Sequence, residues 1–147
     1  MSARESAGSA QGTITGVELM REFIKHSPFA ARLKLTLLEL EPERALVALP
    51  FEQSLVTVAD VVHGGAISTL IDVAATLASW SAADITGSPQ GATISLSVDF
   101  LRAAHSETVQ AEARVLRRGR TICYSDVDVV GASGQALAKG IVAYKLG

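Results

Sequence analysis

A single cysteine, Cys123, occurs in the 147 residues. An intrachain disulfide and a cysteine-based metal cluster are therefore excluded. Inside an apolar strand pattern a lone cysteine reads as a small core hydrophobe. Charge is sparse as well: 13 basic and 15 acidic residues leave a net charge of -2. That balance argues against nucleic acid as the main ligand, because phosphate backbones demand a basic surface. Long unbroken apolar runs are also lacking. The most apolar region, residues 56–85, is interrupted by Asp60, His63, Asp72 and a Gly pair, which suits a buried soluble segment better than a membrane span. Residues 1–11 are rich in Ser, Ala and Gly and carry no apolar run of the signal-peptide kind. They read as a disordered tail on a cytoplasmic protein.

What is present is a hydrophobic fraction of 48%, enough for a sizeable core and for surface buried against a partner subunit. No repeat or linker divides residues 12–147, which read as one domain. Apolar positions 17, 20, 23 and 24 suit a short amphipathic helix over 17–25. Residues 33–40 and 45–50 read as strands around the turn-prone Glu41-Pro42-Glu43, followed by a loop to His63. Residues 64–83 contain helix formers and no proline. The last third is strand signal: Ile94, Leu96, Val98 and Phe100 alternate with Thr93, Ser95, Ser97 and Asp99, and segments 108–116, 122–130 and 135–146 follow across short turns. Such connections predict antiparallel pairing. The class is α+β, one long central helix wrapped by a curved antiparallel sheet of about five to six strands.

On a helical wheel, Ile67, Leu70, Ile71, Ala74, Leu77 and Ala78 form an apolar arc suited to the sheet. Gly65, Ser68, Thr69, Asp72, Thr76 and Ser79 fall opposite, a small and mildly polar stripe whose one charge is Asp72. A solvated helix face would carry Lys, Glu and Arg, so the stripe is expected to be covered. A carboxylate there is either a buried cap to neighbouring hydroxyls or a catalytic group beside a cleft. His63-Gly64-Gly65 at the helix start adds bare backbone N–H groups under a favourable helix dipole. That is the chemistry of an oxyanion hole.

The run Val62-His63-Gly64-Gly65-Ala66-Ile67-Ser68-Thr69-Leu70-Ile71-Asp72 resembles the signature of hotdog-fold acyl-CoA thioesterases of the phenylacetic-acid-degradation type. The likeness extends through Phe100-Leu101-Arg102-Ala103-Ala104 and Arg117-Arg118-Gly119-Arg120-Thr121. The resemblance implies a hotdog fold and subunits paired as a homodimer or a dimer of dimers. It implies hydrolysis of an acyl-CoA, with an aryl group suggested, and no metal or separate cofactor. By the same match, Gly64 supplies an oxyanion N–H with His63 orienting the site, and Asp72 acts as nucleophile or as general base. Thr93 falls where the family often has a Ser or Thr that positions the attacking water. Two positions depart from the pattern: Thr57 stands where the family usually has Asn or Gln, and Asp60 where Gly is commoner.

Residues 64 and 72 of one helix lie about 12 Å apart at 1.5 Å per residue, whereas one carbonyl carbon must sit within about 3 Å of nucleophile and oxyanion donor alike. Two antiparallel helices about a two-fold axis would meet both conditions. Gly65 and Arg102 join the substrate-binding candidates, as do Arg117, Arg118 and Arg120, whose turn is either a solvated hairpin end or a grip on CoA phosphates. Trp80 is either core packing or an acyl-tunnel wall. His26 and His105 lack partners at metal spacing. The alternatives to an enzyme are a non-catalytic acyl-CoA sensor and a plain dimerisation module.

Overall fold

The structure is a computed structural model that describes residues 12–147; the expected tail, 1–11, lies outside the described residues. Helix α1 (Gly16–His26) begins at a capping box in which the Glu18 N–H donates to the Thr15 hydroxyl at 3.1 Å and the Thr15 N–H donates to the Glu18 carboxylate at 2.8 Å. Its apolar spacing buries Met20 and Ile24. A short second helix, α2 (Pro28–Arg32), follows with Ser27 as its cap and proline in its first turn. The strand expected from residue 33 therefore starts later.

Strands β1 (Thr36–Glu41) and β2 (Arg44–Leu49) form a hairpin. The loop expected before His63 contains a small ribbon, β3 (Val56–Val58) with β4 (Val61–Val62). After helix α3 (Gly64–Ser81) come β5 (Gly91–Phe100), β6 (Val109–Arg118), β7 (Ile122–Val130) and β8 (Ala136–Leu146). The main sheet has six strands in the order β1-β2-β6-β7-β8-β5, all antiparallel. The last four strands are thus not a simple meander. β5 pairs with β8 at the sheet edge, and the chain crosses from there to β6 beside β2.

The expected arc of α3 holds: Ile67, Leu70, Ile71, Ala74, Leu77 and Ala78 are buried against β2, β6, β7 and β8. Each such leucine truncated to alanine would cost about 2–5 kcal/mol. Helix and sheet are in close contact at β8, where a Cβ on Gly140 would stand 2.7 Å from Ile71 Cγ2. Cys123 is fully buried in this core. A helix wrapped by a six-stranded antiparallel sheet is the hotdog arrangement.

The clean alternation expected for β5 is broken. Thr93 pairs with Tyr144 and Ser95 with Ala143, so Ile94 is an extra residue in a β-bulge. Beyond the bulge Leu96, Val98 and Phe100 pair with Val142, Gly140 and Ala138. Directly paired residues share a face of the sheet. Thr93 therefore faces α3 together with Leu96 and Val98, and Ile94 is turned outward and exposed.

Candidate active site

The first turn of α3 has four N–H groups to satisfy. His63 is its N-cap, and its Nδ1 accepts the Gly65 N–H at 2.8 Å. The Ala66 and Ile67 N–H groups both donate to the His63 carbonyl, at 3.0 and 3.3 Å. Among the described residues nothing accepts the Gly64 N–H. Thus one donor of the turn is left available at the positive end of the helix, and the imidazole holds its neighbour. Gly64 lines a cavity of about 370 Å³ with Thr57, Val61, Ile67, Phe100 and Arg102. A Cβ at 64 would lie 3.2 Å from the Phe100 ring, so a glycine keeps this wall open. The structure thereby brings Thr57, Gly64 and Arg102 to one cavity, while His63 and Gly65 line a second one with Thr69 and Leu33.

Asp72 lies two turns further along. It is half-buried, and its Oδ1 accepts a hydrogen bond of 2.6 Å from the Thr93 hydroxyl, the contact made possible by the β5 bulge. Tyr144, paired with Thr93 across the strands, accepts the Trp80 indole N–H at 3.0 Å. Burial pushes the Tyr144 phenol above its ordinary range; the Trp80 hydrogen bond works against that shift and the nearby Asp72 charge adds to it. Sequence reading missed Tyr144, since its link to Thr93 depends on a β5–β8 pairing that spans most of the C-terminal half.

The stripe around Asp72 is covered only at one end. Ser79 is fully buried, but Gly65 is exposed and Ser68, Thr69, Asp72 and Thr76 are partly so. Ser68 and Thr69 return their hydroxyls to the Gly64 and Gly65 carbonyls, both at 2.9 Å. Their polar atoms are satisfied within the helix, which leaves a smooth face of small residues.

The sequence model of the thioesterase superfamily matches residues 59–138, a stretch that contains α3 with both Gly64 and Asp72. The chain belongs to the thioesterase superfamily. Mouse acyl-coenzyme A thioesterase 13 is 26% identical over 126 residues, 84% of this chain and 88% of its own length. A thioesterase family protein from Silicibacter pomeroyi has the same fold, with a TM-score of 0.82, 23% identity and 89% and 97% of the two chains covered. The Escherichia coli PaaI protein from the phenylacetic acid degradation operon superposes with a TM-score of 0.78 at 17% identity, over 88% of this chain and 91% of its own. Thioester hydrolysis is thus the family activity.

The remaining candidates of this thioesterase sit elsewhere. Arg118 is half-buried at the far end of α3, donating to Glu43 Oε1 at 2.9 Å and to the Ser79 carbonyl at 2.8 Å. It braces the β1–β2 turn, where Glu43 has φ +67°, against the helix C-terminus. Arg120 lines a cavity there with Arg118, and Arg117 is exposed on β6. None of the three shares a cavity with Gly64. His105 finds a partner that its sequence spacing did not indicate: its Nδ1 lies 2.9 Å from Asp60 Oδ1. That hydrogen bond holds the Asp60 carboxyl below the usual carboxylate range. With the Val62 N–H donating to the Ala104 carbonyl at 2.9 Å, the pair stitches residues 60–62 to 104–106 and fixes a wall of the Gly64 cavity. Among the described residues, no three His, Cys, Asp or Glu side chains gather at metal-holding distance. No described helix is long and apolar enough to cross a membrane.

Proposed function

We propose that the protein is a cytosolic acyl-CoA thioesterase whose active site is completed by two subunits. The observation that carries the proposal is Asp72, half-buried on an otherwise uncharged stripe with one oxygen held by Thr93 at 2.6 Å. Oδ1 is committed, so Oδ2 is the oxygen free to act. As general base it takes a proton from water; the hydroxide adds to the thioester carbonyl, the C–S bond breaks, and the proton passes to the departing CoA sulfur. As nucleophile it adds directly, the C–S bond breaks and CoA leaves as thiolate; water then opens the resulting anhydride to the free acid and the Asp72 carboxylate, and the proton released passes to the thiolate. In both routes the carbonyl oxygen gains negative charge, and the Gly64 N–H, which no described residue accepts, is the donor suited to receive it. The reaction draws on water and protein groups alone, with CoA entering as part of the substrate.

Because Gly64 and Asp72 are about 12 Å apart along one helix, the donor and the carboxylate at one carbonyl come from different chains. Two further features support a homodimer: the small-residue stripe of α3, and edge strand β5, which leaves Ile94, Leu96 and Phe100 exposed. Thr57 and Arg102 in the Gly64 cavity, and Gly65 in the neighbouring cavity that it lines with His63, are proposed to contact the thioester and pantetheine portions. Arg117 and Arg120 are exposed cations suited to CoA phosphates. The acyl-CoA substrate itself is suggested by the name of the mouse relative. Replacing Asp72 by Asn keeps its shape and should lower thiol release from acyl-CoAs at least about a hundredfold. Near-normal release by a folded Asp72→Asn protein would remove Asp72 from the chemistry.

A further inference from the structure

Beyond the Gly64 cavity, α1, α3 and the β5–β8 edge border a half-open, mostly apolar cavity of about 190 Å³ lined by Leu19, Phe23, Thr76, Trp80, Gly91 and Tyr144, among others. It begins where the proposed chemistry ends. Thr76 is one helical turn past Asp72, a rise of about 6 Å on the same face. Tyr144 is the strand partner of Thr93, which bonds Asp72. An acyl chain whose carbonyl stands at Asp72 would therefore run along α3 into this space.

Its far wall is Trp80. The indole is held on two counts: its N–H donates to the Tyr144 hydroxyl at 3.0 Å, and the two rings meet edge to face at 75° with centroids 6.4 Å apart. Gly91 fits beneath them without slack, since a Cβ there would lie 2.7 Å from Tyr144 Cε1 and 3.0 Å from Trp80 Cζ2. The same indole also lines a second cavity of about 320 Å³, with Asp84, Arg118 and Arg120 among others. Trp80 is the one side chain of α3 that lines both. Pro89 is the other residue common to the two linings, and only the second lining carries charged side chains.

We propose that Trp80, locked by Tyr144, is the residue that limits acyl length. A cavity of about 150 Å³ holds a benzene molecule, so 190 Å³ admits a single ring or a short chain and stops a long one at the indole. The inference rests on the thioesterase reading for its substrate but on the two cavities for its geometry.

The test compares hexanoyl-, phenylacetyl- and dodecanoyl-CoA as substrates of the intact protein, of Trp80→Ala and of Trp80→Phe. In the unaltered protein kcat/KM should fall at least about tenfold from hexanoyl to dodecanoyl, and Trp80→Ala should erase most of that difference by joining the two cavities. Trp80→Phe, which keeps a ring, should retain the preference. A folded Trp80→Ala protein with an unchanged chain-length ratio would overturn the proposal. So would an unaltered protein that takes dodecanoyl-CoA as readily as hexanoyl-CoA. A second readout needs no variant, because Trp80 is the only tryptophan. Hexanoate with a terminal bromine should quench its fluorescence saturably. Quenching without thiol release from any acyl-CoA would keep the cavity and reject the hydrolytic reading. Thiol release without quenching would do the reverse.

Discussion

The Thr93 hydroxyl donates to Asp72 Oδ1 at 2.6 Å, joining the middle of α3 to edge strand β5 across 21 positions of sequence. The bond depends on the bulge at Ile94, without which Thr93 would face away from the helix. A hydrogen bond to a charged group contributes about 1.5–3 kcal/mol, so its loss in Thr93→Val should lower kcat by about ten- to a hundredfold. Thr93→Ser keeps the donor and should retain most activity. Steady-state kinetics on both variants separates the bond from the bulk of the side chain, and equal losses in the two would rule out the hydroxyl as the active part.

His63 is proposed to act through position: its ring nitrogen caps Gly65 at 2.8 Å and leaves aside the Gly64 N–H, which no described residue accepts. His63→Ala should cost about 1 kcal/mol of stability, the usual value of a lost N-cap, and should lower kcat as the first turn of α3 frays. Asparagine is a preferred cap, so His63→Asn should restore both the melting temperature and most of the turnover. If stability returned and turnover did not, the imidazole would have a chemical task beyond capping.

Tyr144 offers a pH readout of the same site. Burial, the largest cause, and the Asp72 charge both raise its pKa, while the Trp80 N–H opposes them. The fold thus favours the neutral phenol. The resulting stability is fully present below the unfolded tyrosine pKa of about 10 and is lost as pH rises from there through the higher folded value. Phenolate absorbance in a Tyr124→Phe background, which leaves Tyr144 as the only tyrosine, should titrate above that of the unfolded chain. Adding Asp72→Asn should lower the midpoint. A midpoint indifferent to residue 72 would mean that the carboxylate does not reach the phenol electrostatically.

How much of this was legible without coordinates follows from which contacts are local. The start of α3 at Gly64, its apolar arc and the strand 122–130 follow from periodicity and glycine placement, and the structure has them there. α2 was hidden because five residues are too few to show a period. The inward turn of Thr93 was not legible as a strand pattern, since one bulged residue reverses the parity that alternation assumes. Thr93 was identified through family resemblance instead. Trp80–Tyr144 and Asp60–His105 join positions 64 and 45 residues apart, and no local spacing encodes such pairs. The exposure of the α3 stripe is the converse case. Its composition predicts a cover that one chain does not supply.

A shared site makes the sharpest prediction. Gly64 is the first helical residue after its cap, a position where proline fits the backbone and removes only an N–H that no described residue accepts. Gly64→Pro should therefore delete the proposed oxyanion donor while keeping α3, although its ring must displace Phe100, 3.2 Å from a Cβ at this site. Circular dichroism and size exclusion should first establish that the variant folds and associates. Asp72→Ala removes the carboxylate alone. Each variant as a homodimer should be nearly inactive. Co-expressed with different tags and purified as the mixed dimer, the two chains place intact Gly64 opposite intact Asp72 at one site and both lesions at the other. Two-fold symmetry then returns about half of the unaltered activity per dimer. If both groups of one chain served the same carbonyl, each site would carry one lesion and no activity would return. A stable, inactive mixed dimer would reject the two-chain site and require a geometry in which α3 bends or the donor lies elsewhere.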